Sequence, residues 1–196
     1  MLRGTSIRDS TTSFAVIVAA YVLSHGITTF LVTPVQGYFL AEITVFASLV
    51  YLPHGVRVLS TWLIGPKAFL PLFAGGVVSA LMFTPGALDP AWVPAVMKST
   101  AVGALSAPLA FALLRLAGGM RISANRRRID WKSLVLAGVV ASGINSAGQA
   151  LVHGARFPSA DAVAVVAVYA IGDLIGLLVT MVALMMIFRW IRRMKG

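Results

Sequence analysis

The last apolar run of the chain, Ala162 to Phe188, is long enough to cross a bilayer and carries a single carboxylate, Asp173, near its middle. Lipid offers no partners to backbone N–H and C=O groups, so a run of this kind must close its hydrogen bonds within itself, as an α-helix does. A charge at the centre of such a helix costs about 2.5–3.5 kcal/mol even on the lenient insertion scale, so Asp173 is expected to face a partner or a polar cavity. The competing account is a protonated or hydrogen-bonded aspartate that only glues helices together.

Further runs lie near residues 14–33, 38–52, 68–83, 92–116 and 133–152, and with 162–188 they use up most of the 196 residues. The expected fold is all-α, a polytopic transmembrane bundle of about six spans forming one membrane domain. Hydrophobic residues make up 59% of the chain and charged ones 11%, with a mean hydropathy of +0.91, too little polar surface for a soluble globule. No room is left for a soluble catalytic or nucleic-acid-binding domain. The first run is too long for a signal-peptide core and no small-residue cleavage site follows it, so it reads as a retained span.

The net charge of +10 suggests a nucleic-acid partner until the basic residues are placed. Arg3 and Arg8 precede the first run, Arg57 and Lys67 follow the second, Arg115, Arg121, Arg126, Arg127, Arg128 and Lys132 lie between the fourth and fifth, and Arg189, Arg192, Arg193 and Lys195 follow the sixth. Six spans put all of these on one face, the cytoplasmic one by the positive-inside rule, with both termini there. The opposite face has only Arg156 with Asp89 and Asp161. Such clusters also attract anionic lipid headgroups, and no nucleic-acid partner is needed to explain them.

The segment from Pro53 to Pro66 is too short to span alone and too apolar for an ordinary loop. It reads either as re-entrant or interfacial, or as the start of the third helix, with Pro53 and Gly55 as the break and Arg57 drawn into the membrane.

Within the last run Tyr169, Asp173, Gly176 and Thr180 follow one another at helical spacing and share a face, and Gly172 and Gly176 form a Gly-x-x-x-Gly pair that lets another helix approach. In the fifth run Ser142, Asn145 and Gln149 share a face, and Asn145 lies about as deep as Asp173, so a hydrogen bond between them is expected. Glu42 and Lys98 fall at similar depth in the outer leaflet and are expected to pair, unless Lys98 snorkels to the interface.

Enzyme signatures are missing. The histidines, His25, His54 and His153, have no metal-ligand spacing, and His25 reads as a packing residue. No nucleophile elbow, phosphate loop or dinucleotide fingerprint occurs, and the chain has no cysteine, which excludes thiol catalysis and disulfides. No metal or cofactor is expected.

Two stretches resemble the signatures of the MASE1 membrane sensor domain: Leu52-Pro53-His54-Gly55-Val56, running on to Gly65, and Tyr169-Ala-Ile-Gly172-Asp173-Leu-Ile-Gly176. By that resemblance Pro53, Gly55, Gly172, Asp173 and Gly176 take motif positions. The family is an input module of bacterial histidine kinases and diguanylate cyclases, which implies a multi-pass protein of the bacterial inner membrane that passes a signal to partners. It usually has more spans than are read here and is followed by an output domain, so output from this chain is expected through a separate protein. Asp173, Asn145, Gln149, Tyr169, Glu42, Lys98, His54 and Arg57 are the residues expected to bind a small ligand or carry the signal. Other readings of the same features are the substrate-binding subunit of an energy-coupling-factor transporter and an assembly subunit of a larger membrane complex.

Overall fold

The computed structural model describes residues 7–39, 48–118, 131–153 and 159–194, and every regular element within them is helical. The first rod comprises α1 (Ile7–Ile27), a π-helical turn (Thr28–Val32) and α2 (Thr33–Phe39) in unbroken succession. Pro34 has no N–H to give to the helical ladder and would break a regular helix. The wider turn absorbs it: the Thr33 N–H reaches back to the Thr28 carbonyl, and the Thr33 hydroxyl donates to the same carbonyl at 2.9 Å.

The rod therefore continues past Thr33, where the run of residues 14–33 stops in the sequence reading. Of the span expected over 38–52, residues 38 and 39 belong to the first rod, residues 40–47 lie outside the described residues, and Ser48–Tyr51 is non-helical. A new helix, α3 (Leu52–Ile64), begins with Pro53 in its first turn, where a proline costs no hydrogen bond. The non-helical backbone before it is satisfied by its neighbours. Leu49 N–H donates to Gln36 Oε1 at 2.7 Å, Leu52 N–H to Thr28 Oγ1 at 3.3 Å and Tyr51 N–H to the Gly172 carbonyl at 2.9 Å.

Every residue of α3 from Pro53 to Thr61 is buried, and Leu63 near its end is exposed. The helix ends at Gly65, whose φ of +70° suits glycine, and Pro66 blocks continuation. A 3-10 turn (Gly65–Ala68) leads into α4 (Phe69–Phe83). The break thus lies at Gly65-Pro66, while Pro53 and Gly55 sit inside the helix they were expected to interrupt.

Contacts with the first rod fix directions. Leu52 meets Thr28 and Arg57 meets Tyr21, so α3 runs antiparallel to α1; Gly75 packs on Tyr21 and Phe83 on Gly26, so α4 runs parallel to it. The remaining helices, α5 (Val93–Leu116), α6 (Trp131–His153) and α7 (Ser159–Met194), alternate. Ser99 of α5 meets Gln149 of α6, and Gly138 of α6 packs on Leu177 of α7.

By length and composition, five helical stretches can cross a membrane: Ser10–Phe39, Leu52–Phe83, Val93–Leu116, Trp131–Val152 and Tyr169–Met194. The burial pattern agrees with a lipid solvent. Buried polar residues include Ser24, Thr28, Gln36, Ser60, Ser79, Ser106, Ser142 and Ser146, whereas Leu23, Phe30, Leu81, Leu151 and Met185 are exposed. Helix α3 joins the two apolar clusters. Val58 and Leu59 pack with Phe111, Leu134 and Leu177, while Val56 packs with Ile17, Tyr21 and Leu72.

Candidate functional site

Small residues place α3 and α7 in direct contact. A side chain at Gly172 would strike the Ser48 carbonyl, one at Gly176 the Tyr51 carbonyl, and one at Gly55 the Thr180 side chain. Gly55, Gly172 and Gly176, quoted above from two distant stretches, therefore belong to one seam, with Pro53 buried in the first turn of α3. The seam sets Asp173 of α7 opposite His54 of α3, and α6 closes the third side.

Asp173 is fully buried. Its Oδ2 accepts a hydrogen bond from Asn145 Nδ2 at 3.0 Å and lies 3.3 Å from His54 Nδ1, close enough for an ion pair but off the line of a hydrogen bond. His54 Nε2 faces the Gly138 carbonyl at 3.2 Å. A carbonyl only accepts, so in this arrangement Nε2 is the protonated ring nitrogen, and Nδ1 faces the Asp173 carboxyl without a hydrogen bond. The network continues from Asn145 Oδ1, which accepts from Gln149 Nε2 at 3.4 Å, to Ser99, whose hydroxyl donates to Gln149 Oε1 at 2.8 Å.

One turn along α3 from His54, Arg57 is 4% exposed. Its Nη2 donates to the Tyr21 hydroxyl at 2.7 Å and to the Tyr51 hydroxyl at 3.4 Å, and its guanidinium carbon lies within 5.6 Å and 5.3 Å of the centres of those rings. Gly103 of α5 lets the backbone close on the guanidinium. Nε and Nη1 have no acceptor.

Arg57 lines a cavity of about 380 Å3. Tyr21, His25, Tyr51, Trp92 and Tyr169 supply aromatic wall, and Ser99, Thr100, Asn145 and Gln149 supply polar groups. The cavity extends from the level of Arg57 and Gly76 toward Thr84 and Trp92, which flank the connection between α4 and α5.

The structure thus brings together six of the residues singled out from sequence: Asp173, Asn145 and His54 as a buried triad, with Gln149, Tyr169 and Arg57 on the cavity wall. Lys98 is exposed on α5 and is not part of that wall. Glu42, its expected partner, lies outside the described residues. Sequence reasoning missed Tyr21, Tyr51, Trp92 and Thr100; His25, read as a packing residue, does pack its ring on Tyr21, Tyr51 and Phe83, and it lines the cavity as well. The available signal was the spacing of Tyr21 and His25, one turn apart within an apolar run. No family model matches the chain, and neither a curated protein nor a solved structure matches it.

Proposed function

We propose that this chain is a non-enzymatic, multi-pass membrane module that binds a small ligand in the cavity above Arg57 and relays its occupancy to partner proteins. The observation that carries the reading is the cavity itself, about 380 Å3 of aromatic and polar wall inside an otherwise apolar bundle. Concave sites with apolar walls and a few convergent polar groups are where small molecules bind. The route of relay is the seam between α3 and α7: Tyr51 and Arg57 touch the cavity, and Tyr51 is tied to α7 through the Gly172 carbonyl. A ligand that moves Tyr51 acts on the helix that carries Asp173. The MASE1 resemblance supports the sensory version, since its motif residues are those of the seam.

In this reading Leu52–Ile64 and Phe69–Phe83 are separate passes. The opposite directions of α3 and α4 beside α1 favour six crossings, with both termini on the cytoplasmic face of a bacterial inner membrane, where the arginines cluster. A second reading, the substrate-binding subunit of a transporter, is favoured by one feature. Non-helical backbone at Ser48–Tyr51 leads into a half-length helix beside the cavity, the construction transporters use around a central site.

Native mass spectrometry of detergent-purified protein tests the common core of both readings. A retained small molecule is expected, and it should be lost from Ala95→Trp, which places a large ring in the cavity, at unchanged thermal stability. Retention by the blocked variant would place the ligand elsewhere. Copurification of a kinase or cyclase would favour sensing, and copurification of an ATPase with a coupling subunit would favour transport.

A further inference from the structure

Arg57 leaves hydrogen-bond donors unanswered inside the bundle. It is permanently cationic and buried, and among the described residues no carboxylate lies within ion-pair distance of it. Asp173, the nearby acid, is engaged by Asn145 and His54 rather than by the guanidinium. Tyr21 and Tyr51 solvate one nitrogen of the guanidinium and offer their rings. Nε and Nη1 have no acceptor, and Arg57 lines the cavity. A buried, unpaired charge with unsatisfied donors is among the most costly arrangements a protein can hold, and it is relieved when an anion arrives.

We infer that the cavity takes a small monocarboxylate with a planar body, the carboxylate seated on Arg57 and the body between the aromatic walls. This rests on the ligand-binding reading above and narrows it to a chemical class. Arg57 is the one lysine or arginine among the described residues that line the cavity, and a single cation matches the single negative charge that a carboxylate carries at neutral pH; a phosphate monoester brings about −1.5 to −2. The planar body follows from Tyr51, His25, Trp92 and Tyr169, the aromatic side chains of the wall beside Tyr21. Ser99, Thr100 and Gln149 offer hydrogen bonds to substituents on that body.

The test is equilibrium binding of matched probes to the purified full chain in lipid nanodiscs, by calorimetry: benzoate, 4-hydroxybenzoate and 2-naphthoate, each against its neutral amide, with 2-naphthyl phosphate as the phosphate arm. At least one acid is expected to saturate the protein and to bind about tenfold or more tightly than its amide, the margin of a charge-assisted contact. Arg57→Gln should abolish the preference while leaving the amide's affinity in place. The contrast between acid and amide on the unaltered protein needs no variant, so it stands even where Arg57→Gln fails to fold. An acid and amide that bind equally would overturn the anion assignment and leave the ligand-binding reading standing. Tighter binding of 2-naphthyl phosphate than of 2-naphthoate would overturn the monocarboxylate assignment alone. Binding of no probe would overturn the inference, and loss of the native mass spectrometry signal as well would remove the ligand-binding reading with it.

Discussion

Among single residues, Asp173 shows how a costly group is made tolerable. Its surroundings provide an amide donor and a ring nitrogen, and both approach the same oxygen, Oδ2. In Asp173→Asn the amide oxygen can take that place and still accept from Asn145, but the same atom cannot also donate to His54 Nδ1, so one of the two contacts is lost. Stability in detergent should fall by about 1–3 kcal/mol. Asp173→Ala strands both neighbours and is expected to cost about 3–5 kcal/mol. Thermal denaturation of the two variants, with Asn145→Ala to complete a double-mutant cycle, checks this; equal losses for Asn and Ala would show that the hydrogen bond to Asn145 does not hold the triad together. The pairing of Asp173 with Asn145 was legible in the sequence because both are polar groups at matching depth on the stripes of neighbouring spans. His54 as the third member was not, because its depth depends on a chain that leaves helical geometry between Ser48 and Tyr51, and hydropathy carries no record of such a break.

For the helices, the α3–α7 seam explains why glycine recurs where it does. The atoms that a side chain at Gly172 or Gly176 would meet belong to backbone carbonyls of the Ser48–Tyr51 segment, which cannot rotate away as a side chain does. Gly172→Ala and Gly176→Ala should each destabilise the protein by about 1–3 kcal/mol through overpacking. Gly143→Ala on α6, where a methyl meets nothing within 4 Å, should be neutral or stabilising by up to about 1 kcal/mol from helix propensity. Thermal shift of the three variants side by side separates the seam from a general effect of losing glycine. Close packing at Gly172-x-x-x-Gly176 could be read from spacing. Its partner could not, because it is an irregular stretch of backbone rather than another helix.

At the level of the whole molecule, the decisive question is what happens between Leu52 and Phe83. Length and hydropathy allow the stretch to cross once, whereas the opposite courses of α3 and α4 fold it into a hairpin with Lys67 at its tip. In the otherwise cysteine-free chain, Lys67→Cys and Leu88→Cys are both exposed reporters. With six crossings, a membrane-impermeant thiol reagent applied to intact cells should label Leu88→Cys alone, and Lys67→Cys should react only after permeabilisation. A single straight crossing would bury residue 67 near mid-membrane and leave it unlabelled in both cases. The all-helical class and the long apolar helices were legible because apolar run length is what a bilayer's thickness selects. The exception was the stretch from Thr33 to Pro66, where the first run was ended at Thr33 and Pro53 with Gly55 was offered as a break. Pro34 is absorbed by a π-helical turn, Pro53 starts a helix, and only Pro66 breaks one.

The half-length of α3 also bears on how the protein is made. Thirteen residues rise about 20 Å, short of the roughly 30 Å hydrocarbon core, and they carry an arginine. Such a segment has little tendency to stay in lipid unaided. Its walls are α1, already synthesised, then α5 and α6, and finally α7, whose carboxylate-bearing turn meets His54. While the chain is still growing, this central helix waits for a docking site that follows it by several helices, so the interior assembles around α3 from segments on both sides of it in the sequence and closes only once α7 has been made.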